Sequence, residues 1–110
     1  MKWKLAYYNY SVEQEVDCLE KSINSKFIAI TDMMIENGPN LGMPFTRPMG
    51  KGLFEIRAKG HAGIARGFFC TVSKNTIIIL HVFVKKIDQT PNKELKLARQ
   101  RMKEVKIHDI

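Results

Sequence analysis

The chain has 110 residues, 45% of them hydrophobic, and a formal net charge of +7. That is enough for one domain, spanning residues 1–110, and too apolar for a disordered segment; no apolar run approaches the roughly 20 residues of a membrane span. The charge is uneven: residues 1–46 carry four lysines and six acids (−2), residues 47–110 fourteen Lys or Arg and five acids (+9), so a polyanionic partner, nucleic acid first, is expected.

In chain order, "KWKLAY" alternates Trp3, Leu5 and Tyr7 against polar neighbours and reads as a strand. Ser11 opens "SVEQ", a capping box with Gln14, and Val12, Val16, Leu19 and Ile23 repeat at helical spacing. A break near Asn24 and Ser25 would separate this helix from a second one carrying Phe27, Ile30 and Met34, which stops at Gly38 and Pro39. The two make an N-terminal helical hairpin. Residues 38–52 gather Gly38, Gly42, Gly50 and Gly52 with three prolines and read as a long irregular connection.

Three strands follow. "LFEIRAK", "IARGFFCTV" and "TIIILHVFVKK" are separated by the turns "GHAG" and "SKN", which implies an antiparallel meander with the third strand near the middle. Thr90 and Pro91 suit the cap and first position of a last helix, whose Leu95, Ala98, Met102 and Val105 form an apolar stripe. The fold class is α+β: a helical hairpin packed on a small antiparallel sheet, with a C-terminal helix.

The chemistry lies in the third strand, where His81, Lys85 and Lys86 interrupt a run that otherwise suits burial. Alternation places Ile79, His81, Phe83 and Lys85 on one face and Ile78, Leu80, Val82 and Val84 on the other. The purely apolar set is the natural seat for the hairpin, leaving His81 and Lys85 on an open face with Glu55, Arg57 and Arg66. Arginine binds phosphate through a planar fork that does not titrate, and histidine exchanges protons near neutrality. Two arginines, a histidine and a lysine suit metal-independent cleavage of RNA, in which the 2′-hydroxyl attacks its own phosphate. No carboxylate cluster offers to hold magnesium, so neither metal nor cofactor is expected. Cys18 and Cys70 match no zinc or disulfide pattern and are expected to be reduced. The N-terminal residues lack the pattern of a secretory signal, so a cytoplasmic protein is expected.

"GLFEIR", the strand arginine Arg66, "IIILHVFVKKIDQTP" and "ELKLARQRMKE" together resemble the RelE/HigB superfamily of toxins from bacterial type II toxin–antitoxin modules, in its phage-derived HigB-like branch. The likeness covers roughly residues 41–106. It implies an mRNA endonuclease that inhibits translation, often on the ribosome, and is held inactive by a cognate antitoxin, here expected to be a helix-turn-helix protein. By motif position the catalytic residues would be Arg57, Arg66, His81 and Lys85. Lys51, Lys59 and Lys86 would bind RNA. The same fold also includes toxins that poison DNA gyrase, and a non-catalytic nucleic-acid-binding module is the alternative of another class.

Overall fold

The structure, a computed structural model, describes residues 2–85 and 91–109. The elements run β1 (Lys4–Tyr7), α1 (Tyr10–Asp17), α2 (Lys21–Asn37), β2 (Thr46–Gly50), β3 (Leu53–Gly60), β4 (Gly63–Val72), β5 (Thr76–Lys85) and α3 (Asn92–Ile107). The strands form one sheet in the order β1-β5-β4-β3-β2. The fold class is the expected α+β arrangement, with one difference: β1 pairs in parallel with β5, so the sheet is mixed.

The helical hairpin breaks earlier than the sequence pattern suggests. Asn9, and not Ser11, caps α1, its Oδ1 accepting the Val12 N–H at 2.9 Å. The helix ends at Asp17, and the Glu20 carboxylate then caps α2 by accepting from the N–H groups of Ser22 and Ile23. Ile23 therefore belongs to α2, where it is buried with Phe27, Ile30 and Met34. A side-chain cap placed at Glu20 outweighs the turn propensity of Asn24 and Ser25, and Asn24 instead donates to the Val16 carbonyl at 2.8 Å. Gly38, at φ 96°, ends α2 in a conformation that favours glycine.

β2 falls inside the segment read as irregular. It is an edge strand, where Pro48 costs no central ladder bond, and it pairs with β3 through Arg47 opposite Glu55 and Thr46 opposite Ile56.

The face assignment of β5 is corrected by a β-bulge. Phe68 pairs with His81 while the next residue, Phe69, pairs with Ile79, so Leu80 is an extra residue. Past it the strand resumes with its alternation shifted by one. Ile77, Ile79 and Val82 pack against the hairpin with Phe27 and Ile30, whereas Ile78, Leu80 and Phe83 lie with Leu53, Phe68 and Cys70 against α3. The sheet thus has two covered faces. The expected α3 stripe of Leu95, Ala98, Met102 and Val105 is the one that packs there.

Candidate functional site

Strand register fixes where the predicted site residues stand. Arg47, Glu55, Phe68 and His81 form one row across β2, β3, β4 and β5; Arg57, Arg66 and Phe83 form the next. Directly opposed residues have Cβ atoms about 5 Å apart and diagonal ones roughly 7–8 Å, so Glu55, Arg57, Arg66 and His81 make one cluster on the face away from the hairpin. The expectation that Arg57, Arg66 and His81 share a side matches this arrangement. The expectation that the side is open does not. Arg66 is 4% exposed, Glu55 1% and His81 7%, because α3 closes over part of the face.

Burial of these groups is compensated by pairing. Glu55 Oε1 accepts from Arg66 Nη1 at 2.8 Å and from Arg47 Nε at 2.9 Å. His81 Nε2 meets Glu94 Oε1, from the first turn of α3, at 2.8 Å. An ionised carboxylate only accepts, so this contact puts the proton on Nε2 and leaves Nδ1 as the ring's remaining site. Phe83 stacks on the imidazole at 5.8 Å between centroids and fixes its plane. Three guanidinium groups (Arg47, Arg57, Arg66) stand against the two carboxylates of Glu55 and Glu94, a small local excess of positive charge suited to an anion.

The compensation is incomplete at three atoms. Among the described residues, the buried side-chain atoms without a hydrogen-bond partner are Glu55 Oε2, Arg66 Nε and His81 Nδ1. Each such atom costs about 1–3 kcal/mol if left dry, and all three belong to this cluster. A cavity of about 40 Å³ adjoins it, bounded in part by Arg47, Glu55, Arg57 and Arg66. It is large enough for little more than one water, whose share of liquid is about 30 Å³. A phosphate would not fit inside it; at its mouth the Arg57 side chain is part-exposed and makes no hydrogen bond among the described residues.

The other predicted residues are dispersed. Lys85 ends β5 opposite Ile64; its side chain, and Lys86 and Thr90, lie outside the described residues. Lys59 is exposed near the Gly60 end of β3. Lys51 stands in the β2–β3 turn at φ 56°, beyond the opposite end of that strand. Eight residues of chain, about 26 Å when extended, separate the two lysines, so they do not share a groove.

Part of the basic excess is structural. Arg99 donates to the carbonyls of Met49 and Gly50, Arg101 to the Leu80 carbonyl exposed by the bulge, and Lys106 to that of Thr71. These bonds clamp α3 to the sheet, so the α3 cations are not simply a free nucleic-acid face.

Over residues 14–103 the chain matches the family described as phage derived protein Gp49-like (DUF891). The chain belongs to this family. No curated protein matches it. In this Gp49-like chain the matched span takes in Glu55, Arg57, Arg66, His81 and Glu94. Two of these, Glu55 and Glu94, went unassigned a role from the sequence. Glu55 was visible in principle, two residues before Arg57 on the same strand face. Glu94 was not, since only the docking of α3 brings it to His81.

Proposed function

We propose that this Gp49-like protein is the toxin of a type II toxin–antitoxin module, an endoribonuclease that cuts mRNA, acting on translating ribosomes. The observation that carries the reading is the buried Glu55–Arg66–His81 cluster, in which each residue keeps one unpartnered polar atom on a positively charged face. A cluster serving stability alone would be expected to satisfy all its atoms or be replaced by apolar residues.

In this reading the RNA phosphate binds at the cavity mouth against Arg57 and Arg66. The 2′-hydroxyl attacks the phosphorus and the 5′-oxygen leaves, giving a 2′,3′-cyclic phosphate and a 5′-hydroxyl. Glu55 Oε2 and His81 Nδ1, buried behind the mouth, divide the two proton transfers through bridging water, one taking the 2′-hydroxyl proton and the other supplying one to the leaving oxygen. The guanidinium groups of Arg57 and Arg66 stabilise the charge gathered on the phosphoryl oxygens. A separate antitoxin, of helix-turn-helix type, would hold the activity in check.

Induction in bacteria tests this. Growth arrest with fragmented message is expected, and Arg57→Ala, Arg66→Ala and His81→Ala should each restore growth. Arg57→Ala is the cleanest variant because that residue is unpaired, so its loss should leave thermal unfolding unchanged. Arrest with intact message would overturn the nuclease reading.

A further inference from the structure

The cavity beside Arg66 is the inner end of a longer groove. It shares Phe45 and Arg57 with a second cavity of about 470 Å³. That one shares Lys26 and Lys59 with a third of about 520 Å³, which reaches His61 at the β3–β4 turn. The groove follows the edge of β3: the β2 ladder ends at Thr46 opposite Ile56, and one further bond, from the Arg57 N–H to the Phe45 carbonyl, closes it. Beyond Arg57 the edge faces α2. Its floor is held by a close approach, since a Cβ on Gly60 would stand 2.6 Å from the Ile23 nitrogen, and the His61 N–H donates to Ser22 Oγ at 2.8 Å. Among the described residues no carboxylate lines the two outer cavities, whereas Lys26, Arg57 and Lys59 do. Glu20 already occupies the amides at the start of α2, so the attraction for an anion comes from these side chains and not from the helix end. Half-buried Phe45 carries Lys26 Nζ 5.4 Å from its ring centroid, pairing an aromatic face with a cation.

We propose that this groove is the track for the single-stranded RNA that flanks the cut. Lys26 and Lys59 hold its phosphates, and Phe45 stacks one of its bases. The inference deepens the nuclease reading and rests on it for the location of the cut. It assigns to Lys26, in the acidic half of the chain, a role that charge distribution along the sequence hides. A spaced series of cations beside one aromatic is the recurring design of single-strand binders.

The test uses a fluorescent 2′-O-methyl RNA of about 12 nucleotides, within the site sizes of single-strand binders. It lacks the nucleophile, so binding is read without cutting. Single-strand affinity falls with salt at a log–log slope of about −0.7 per phosphate contact, so the Lys26→Ala/Lys59→Ala double variant should show a slope shallower by about 1.4. Lys4→Ala/Lys74→Ala, with the same loss of charge remote from the groove, should keep the slope of the unaltered protein. Phe45→Leu should weaken binding several-fold at unchanged slope. An unchanged slope in the Lys26/Lys59 variant, or no binding by the unaltered protein, overturns the proposal. So does a variant that binds RNA normally but escapes neutralisation by a co-expressed antitoxin, which would make the groove a protein-docking edge. If the slope falls as expected while message stays intact on induction, the track stands and the nuclease reading fails.

Discussion

His81 and Glu94 meet at 2.8 Å across the junction of β5 and α3, and the contact answers why a histidine sits in a strand otherwise suited to burial. The imidazole is sealed by α3 and paired by it in the same step. Long-range nitrogen spectra of the histidine rings should show the His81 proton on Nε2. Glu94→Ala should remove that preference and cost about 1–3 kcal/mol, the penalty for orphaning a buried donor. Glu94→Gln retains an acceptor oxygen and should recover most of the stability. Equal losses in the two variants would mean that Glu94 acts through packing and not through the hydrogen bond.

Glu55 and Arg66 form a buried pair, but the two are not equivalent. Glu55 has two arginines, Arg66 only one carboxylate. Glu55→Ala strands a guanidinium that is 4% exposed and should cost about 3–5 kcal/mol, as for other broken buried pairs. Arg66→Ala leaves Glu55 bonded to Arg47 and should cost less. Urea unfolding of both variants orders them. A larger loss for Arg66→Ala would mean that Arg47, half exposed, does not neutralise Glu55.

Most of the scaffold was readable because alternation and capping are local. The three meander strands, the α3 stripe and the buried residues of α2 all follow from spacing that survives packing. The bulge at Leu80 does not, since "IIILHV" has apolar residues at every position but one and so carries no mark of where the register shifts. The reassignment of Ile78, Ile79 and Leu80 follows from it. β2 was hidden by Pro48 and the glycines, which an edge strand tolerates and a central one does not. The cluster of Arg57, Arg66 and His81 was legible because it depends on strand neighbours. Its enclosure was not, because Glu94 comes from an element whose docking the sequence does not state.

Gly67 lies midway along β4, the central strand, where glycine ordinarily weakens a sheet. Its lack of a side chain makes room for Phe27: an added Cβ would come within 2.9 Å of the ring. Phe27 is fully buried in the hairpin core and has little freedom to move. Gly67→Ala should therefore destabilise by about 1–3 kcal/mol, the usual cost of overpacking. Pairing it with Phe27→Leu should return part of that loss, since the smaller side chain frees the contested space. A double variant no more stable than the sum of the single changes would show that the clash lies elsewhere.

The two cysteines are both free and differ in environment: Cys18 is exposed at the end of α1, and Cys70 is buried between β4 and α3. Burial pushes the Cys70 thiol up to about 11; nearby Asp109 adds to the rise and Lys106 opposes it. Because the thiolate is the reactive form, Cys70 should be inert at neutral pH for two reasons, inaccessibility and protonation. A disulfide reagent at pH 8 should modify one thiol quickly and a second only as the protein unfolds. The slow phase should vanish in Cys70→Ala and persist in Cys18→Ala, and it should accelerate in variants that loosen α3, such as Arg99→Ala, which loses the bonds to Met49 and Gly50. Rapid modification of both thiols in the native protein would mean that α3 leaves the sheet readily, and with it the Glu94 contact to His81.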